Sequence, residues 1–420
     1  MGLSMAERRA ITKQMARRYV KASKTEKGRM LDELCALTGW TRRHARRALL
    51  GAVQPSSDPP RRPRPRIYGP EVIEPLTRVW ATLNGPSGKR LAPFMADVVE
   101  ALERHGELEV DPEVRAKLLA MSSATIDRAL APKRARLRVK GRSGTKPGSI
   151  LRRQIPIRTF AEWDDARPGF CEVDLVAHDG GTPYGEYCQT LDLTCVATGW
   201  TEPRALKNKA QRWVHEAIDE VASSLPFPLL GLDSDNGSEF INNQLFRYCA
   251  EQGITFTRSR SYRKNDNCFV EQKNWPVVRQ QVGYARYDTP EALEALRQLY
   301  RILRLYVNFF QPQMKLVAKT RHGATVTKRF DRARTPYQRA LASPWVSEVV
   351  KRTLRATYLQ LNPAQLKREL AAWQSTLLGL ATDPTRKEVR VPGAPLRGAL
   401  SKAHSRTLLV MQPELASRTS

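Results

Sequence analysis

Thirty-five residues separate Asp235 from Glu271, and together with Asp174 upstream this interval limits the chain's fold more than any other feature. Asp174 lies mid-run in Phe170-Cys171-Glu172-Val173-Asp174-Leu175-Val176, a strand-like stretch. Phe227-Pro228-Leu229-Leu230-Gly231-Leu232 reads as a buried strand ending at Asp235, with Asn236-Gly237 as its tight exit turn. Glu271 belongs to a helical segment, 265–283. A central first strand with the second parallel beside it brings the two aspartates together, and the helix carries the glutamate across. Hard cations take oxygen ligands, and Mg²⁺ favours carboxylates and waters. Two such cations ~3.5–4 Å apart activate one oxygen and stabilise a leaving one, with no covalent protein nucleophile. Such a site suits phosphodiester cleavage and transfer.

Neighbouring residues read differently. Asp233 competes with Asp235 but sits before the strand's end and breaks the interval. Asp179 and Asp192 read as strand-end or turn acids, and His178 as a loop residue rather than a metal ligand. Trp200 reads as a buried strand-end side chain rather than a platform for a base.

The chain has 420 residues, 41% of them hydrophobic, enough for several domains with real cores. No apolar run approaches the ~20 residues of a membrane span, and the start, Met1–Arg9, lacks the apolar stretch of a signal peptide. The cysteines at 35, 171, 188, 195, 249 and 268 form no CxxC pair and no metal spacing. Those at 171, 188 and 195 fall in strand-like runs and read as buried thiols in a reducing cytoplasm. Net charge is +28, which points to a polyanionic partner. The charge is clustered: residues 1–68 hold 17 Lys/Arg against 5 Asp/Glu, and 133–153 hold 9 Lys/Arg and no acid.

The chain is expected to be multidomain. Residues 1–52 read as a helix-turn-helix domain. Gly39 makes the turn, Thr41 caps the second helix, and Ala45, Ala48 and Leu49 face the core. Arg42, Arg43, Arg46 and Arg47 then line the opposite side, a face suited to a major groove. Residues 53–67 form a Pro/Arg linker carrying Arg61, Arg62, Arg64 and Arg66. Residues 68–132 read as a second helical domain, with Ser122–Leu130 as a short capped recognition helix. Residues 133–160 form a basic connector, with Lys133, Arg134, Arg136, Arg138, Lys140 and Arg142 as phosphate contacts. The all-α amino half thus gives way to an α/β core at 161–312.

In that core, strands at 169–177, 186–196 and about 197–204 precede a helix from Lys207 to Ser224. The buried strand follows, then a helix at 242–252, a strand at 254–257 and the Glu271 helix. This βββαβαβα order is that of an RNase H-like domain, a mixed five-stranded sheet flanked by helices. A further helix spans 289–311. Residues 313–383 are expected to form a small α/β or β carboxy-terminal region, with a β unit within 315–340 and a helix beginning at Asn362-Pro363. Residues 384–420 read as a loose tail.

Asp174, Asp235 and Glu271 match the D,D-35-E pattern, and on these residues the chain resembles the DDE transposase and retroviral integrase superfamily. The stretches Asp233–Phe240, Tyr262–Asp266 and Val270–Asn274 look like bacterial insertion-sequence transposases of the ISNCY-type group. The resemblance covers about 165–312, and the helical amino half is similar to that group as well. It implies two Mg²⁺ or Mn²⁺ ions on the three acids, binding of double-stranded DNA at element ends and target, and a homo-oligomer, dimer or larger. It also implies a bacterial cytoplasmic location near the nucleoid. Lys273, Asn274 and Arg279 are expected to grip donor phosphates. His44 and His105 have no suitably spaced cysteines, so no zinc module is expected. Two residues depart from the pattern. Ser261 stands where proline often precedes the tyrosine, and Pro276 falls inside the Glu271 helix, where a missing N–H predicts a kink. A plain RNase H-like nuclease and a non-catalytic domesticated DNA-binding regulator are the alternative readings.

Overall fold

The computed structural model describes residues 3–53, 67–136, 167–235, 237, 239–258 and 268–382. The chain divides into two compact units, Met1–Ile67 and Tyr68–Ser420.

The first unit holds α1 (Met5–Lys21), α2 (Lys24–Thr38) and α3 (Arg42–Gly51). Reciprocal capping boxes, Ser4 with Glu7 and Ser23 with Glu26, start α1 and α2. Gly39, at φ +69°, ends α2 in the left-handed region, and Thr41 caps α3. Ala16, Tyr19, Leu31, Leu34, Ala45 and Leu49 close a small core of their own. Ala45 and Leu49 are buried as the pattern predicts.

The second unit opens with α4 (Pro70–Thr82), α5 (Gly88–Arg104), α6 (Pro112–Ala120) and α7 (Ser123–Arg136). Met121 and Ser122 join α6 to α7, and the Thr125 N–H donates to the Ser122 hydroxyl at 3.2 Å. Helix α7 continues through Arg136, so the basic run expected as a connector begins inside a helix. The core follows: β1 (Phe170–Ala177), β2 (Gln189–Cys195), β3 (Thr201–Leu206), α8 (Gln211–Ser224), β4 (Gly231–Ser234), α9 (Asn243–Glu251), β5 (Thr255–Arg258) and α10 (Cys268–Lys273). A π-helical segment, Asn274–Arg279, continues α10 into the short α11 (Gln280–Val282). Next come α12 (Pro290–Phe310), the hairpin β6 (Leu316–His322) and β7 (Thr325–Phe330), α13 (Pro336–Ala342), α14 (Glu348–Gln360) and α15 (Pro363–Gly379).

The five-stranded sheet has the order β3-β2-β1-β4-β5. β1 runs antiparallel to β2, β2 antiparallel to β3, and β4 and β5 lie parallel to β1. This is the mixed sheet expected from the sequence, and it is consistent with an RNase H-like core. β4 begins later than the apolar run 227–232 predicts. Pro228 has no N–H to give a ladder, and the N–H groups of Leu230 and Gly231 donate instead to the Gly169 carbonyl. The β3 edge is closed by α12: the Asn308 amide accepts from the Thr201 N–H at 2.9 Å and donates to its carbonyl at 2.8 Å.

Helices α4–α7 and the carboxy-terminal helices share one hydrophobic core with this sheet. The Tyr306 hydroxyl of α12 donates to the Thr82 carbonyl at 2.6 Å, and Arg368 of α15 grips Glu107 with two bonds. Asn362 caps α15 ahead of Pro363, as predicted. The sequence pattern gave no sign of α13 and α14.

Candidate active site

The β1–β4 register sets Phe170 opposite Gly231 and Val173 opposite Ser234. The next step along both parallel strands places Asp174 beside Asp235. Asp174 is partly open. Its Oδ1 accepts the Leu175 N–H at 2.8 Å, and its Oδ2 accepts the Asn274 amide at 2.6 Å. Asp235 accepts the Gly237 N–H at 2.9 Å. Burial, then the negative charge of Asp235, push the Asp174 carboxyl up to about 7. Glu271 acts in the same direction, while the bonds from Asn274 and Leu175 oppose it. Burial also raises Asp235.

Glu271 is exposed on α10. The start of that helix is held from the sheet: the buried Glu172 carboxylate accepts the N–H groups of Phe269 at 2.7 Å and Val270 at 3.0 Å. An anion at a helix N-terminus satisfies open donors and complements the dipole. Glu172 and Asp174 share one face of β1, so the strand that presents the first aspartate also anchors the helix that presents the glutamate. The sequence reading passed over Glu172. The signal was present, since two acids two apart in a strand put two carboxylates on one face of the sheet.

Asp192 is not a strand-end acid. It lies mid-strand in β2, directly opposite Asp174, and is fully buried. Lys273 lies near it, and burial raises Asp192 and lowers Lys273. The Lys273 ammonium also donates to the Gly199 carbonyl at 3.4 Å. Lys273 and Asn274 therefore turn inward, to Asp192 and Asp174, and are not placed to grip donor phosphates as expected. Arg279 is partly buried, its guanidinium 4.8 Å from the centre of the Tyr284 ring. Asp233 is buried and accepts the Thr257 hydroxyl at 2.5 Å, inside the sheet rather than at its end.

His178 lies just past the end of β1, outside the strand as the sequence reading has it. It is buried there, with Nε2 2.6 Å from the Thr190 hydroxyl, and burial holds its pKa down at about 3, so the ring is neutral. Asp179 accepts the Gly181 N–H in a turn, and Trp200 is buried with its indole N–H on Glu202 at 2.8 Å, both as read from the sequence.

The expected kink at Pro276 takes the form of the π-helical segment. Proline cannot donate to the α ladder, and a wider turn absorbs the missing bond. The segment buries Val277 and Val278 while Asn274 reaches Asp174. Pro276→Ala restores the N–H and favours α geometry. It is expected to raise Tm by a few degrees and to lower any activity that depends on Asp174 by misplacing Asn274. Unchanged Tm and unchanged activity would show that the wide turn neither stores strain nor sets the site.

On α3, Arg42, Arg43, Arg46 and Arg47 are all exposed. Arg42 is paired with Asp32 and donates to the Gly28 carbonyl at 3.4 Å. Arg43, Arg46 and Arg47 line a shallow depression of about 320 Å³ with Leu50 and Gly51. Arg134 is corrected to a structural role: it binds Asp127 at 2.5 Å and the Pro86 carbonyl at 2.7 Å, and lies over the Trp80 ring. Lys133 is exposed on α7. Arg61, Arg62, Arg64, Arg66, Arg138, Lys140, Arg142, Ser261 and the Arg136 side chain lie outside the described residues.

Among the described residues, no group of three or more His, Cys, Asp or Glu side chains is gathered closely enough to hold a metal ion. The donor chemistry nonetheless fits a hard divalent cation. Asp174 and Asp235 lie side by side, Glu271 is near enough to raise Asp174, and the buried Asn274 Oδ1 has no hydrogen-bond partner among the described residues. No described helix is long and apolar enough to cross a membrane.

No family model matches the chain. It is 44% identical over 330 residues, covering 78% of this chain and 93% of the relative, to the uncharacterized protein y4rM of Sinorhizobium fredii (strain NBRC 101917 / NGR234). Among solved structures it is similar to the HTLV-2 integrase catalytic core domain in complex with magnesium (dimeric form). That match has TM-score 0.27 and 16% identity, covering 35% of this chain and 91% of that one. The catalytic core domain of BIV integrase matches with TM-score 0.28 and 17% identity, covering 45% and 98%. At these TM-scores the fold assignment rests on strand order and direction alone.

Proposed function

The chain belongs to the same family as y4rM, and we propose that it is a DNA transposase of the DDE superfamily. On this reading it binds the terminal inverted repeats of a mobile element, frees 3′ hydroxyls and joins them to target DNA. It works as a homo-oligomer, dimer or larger. The observation that carries the reading is the pairing of Asp174 with Asp235 on parallel neighbours, facing a Glu271 helix tied to β1 by Glu172.

Asp174, Asp235 and Glu271 would hold two Mg²⁺ or Mn²⁺ ions, which when bound activate the attacking oxygen and offset charge on the leaving one. Asn274 orients the Asp174 carboxyl, and Glu172 sets where α10 begins. Asp192, neutralised by Lys273 or by a proton, supports Asp174 from the next strand. The test searches the DNA flanking the coding region for imperfect inverted repeats, and supplies the full-length protein with duplexes ending in that flanking sequence, a plasmid target and Mg²⁺ or Mn²⁺. Joined products are expected. Specific binding without joining in either cation favours the regulator, and sequence-blind cleavage without joining favours the general nuclease.

DNA reading is assigned to α3. Residues 3–53 have their own core, so the fragment 1–53 is a fair test piece. It should prefer terminal over random duplexes, and Arg46→Ala should weaken it. A lost base contact costs ~1–3 kcal/mol, and a lost phosphate contact flattens the salt dependence by about one unit of slope. Equal affinity for both duplexes, unchanged by Arg46→Ala, would reject α3 as a recognition helix.

A further inference from the structure

Every described side chain of the hairpin β6–β7 is exposed. A two-stranded ribbon in water is marginal by itself. This one is held at its root. The Lys315 N–H donates to Asp331 at 2.6 Å, the Asp331 N–H donates back to the Lys315 carbonyl at 2.9 Å, and Arg339 pairs with Asp331 at 2.7 Å. Gly323, at φ +58°, makes the turn.

From Leu316 to Phe330 there is no acidic residue, and Lys319, Arg321, Lys328 and Arg329 are basic. Among the described residues no acidic side chain pairs with Arg321, Lys328 or Arg329. The register sets Lys319 directly opposite Lys328. Between the cations, Leu316, Val317, Val326 and Phe330 stand 41–58% exposed. Among the described residues, none of these four side chains belongs to the hydrophobic core.

The root adjoins the candidate active site. The Lys315 ammonium donates to the carbonyls of Val196 at 2.6 Å and Ala197 at 2.9 Å, and lies 5.6 Å from the centre of the Phe269 ring. Phe269 is one of the two residues through which Glu172 holds α10, two positions before Glu271.

We propose that β6–β7 is a DNA arm that lies in the major groove of the duplex engaged at Asp174, Asp235 and Glu271. A major groove admits a two-stranded β-ribbon. Arg321, Lys328 and Arg329 contact phosphates, and the exposed apolar side chains meet sugar and thymine methyl groups. The arm rests on the transposase reading for its location, while its affinity for duplex DNA is separately measurable.

The experiment uses the full chain. Arg321→Ala/Lys328→Ala/Arg329→Ala and the charge reversal Lys328→Glu/Arg329→Glu are titrated against a random-sequence duplex at several salt concentrations. The triple variant should bind at least about tenfold more weakly at low salt, with its salt slope reduced by about three, one per phosphate contact. The charge reversal should bind more weakly still. Tm should be unchanged, because the ribbon buries no core. In an otherwise native chain, Thr327 replaced by photoreactive p-benzoylphenylalanine should crosslink to the duplex. Variants that bind like wild type, with no crosslink, overturn the arm and leave the transposase reading standing. Loss of affinity for single-stranded RNA but not for duplex DNA also overturns it. A wild-type chain that binds no duplex at all defeats the transposase reading itself.

Discussion

Asp174→Asn and Glu271→Gln should each slow strand transfer by about 10³-fold or more, roughly 4 kcal/mol of barrier, with terminal-DNA affinity unchanged. Both amides nearly match the acids in size, so packing survives, but a neutral oxygen is a poorer ligand for a hard dication. The two variants separate chemistry from folding in different ways. Glu271 is exposed, so its replacement disturbs no core. Asp174 is held by burial and by Asp235 with its pKa near 7, so Asn at this position relieves repulsion. The metal-free Asp174→Asn protein should melt higher than wild type at pH 8 while being inactive. A paired gel shift and strand-transfer assay reads both quantities. Glu271→Gln transferring at the wild-type rate would remove Glu271 from the site. Asp174→Asn melting lower than wild type would mean that the carboxylate is structural.

The pairing of Asp174 with Asp235 was legible because both residues end or centre apolar runs, and a parallel neighbour leaves few registers open. The 35-residue interval pointed to Glu271 in the same way. What holds Glu271 was not legible. Glu172 reaches N–H groups about a hundred residues away, and no local window contains that contact. Asp192 was misread for the same reason. An acid mid-strand is costly to bury, and only the fold reveals that Lys273 comes to it from α10. Lys273 and Asn274 looked like phosphate contacts because helical charges usually face solvent. The interior needs of Asp192 and Asp174 outweigh that tendency. Pro276 was legible as a defect, but not as the π-helical segment that turns Asn274 toward Asp174. The hairpin 316–330 escaped a functional reading because its described side chains are exposed on both strands, which leaves no alternation to detect.

Removing divalent cations with excess EDTA should abolish cleavage and joining, and the effect of cations on stability should depend on pH. Asp174 is raised from the ordinary carboxylate range to about 7, first by burial, then by Asp235, with Glu271 adding. A raised carboxyl gives stability that is fully present below its unfolded pKa and is lost as pH rises through the folded one. The metal-free protein should therefore lose stability between about pH 4 and pH 7, where the site sheds its proton and the carboxylates repel. Mg²⁺ takes the proton's place and adds stability as its concentration exceeds its dissociation constant. The Mg²⁺-induced rise in Tm should thus be larger at pH 8 than at pH 6. Burial raises Asp192 in the same direction, but Asp192 faces Lys273, so its share largely cancels when Tm is compared with and without Mg²⁺ at one pH. Asp174→Asn should flatten the pH dependence of the Mg²⁺ effect. Cleavage that persists in excess EDTA would defeat the two-cation reading. A Mg²⁺ shift equal at pH 6 and pH 8, and intact in Asp174→Asn, would place the cation away from Asp174.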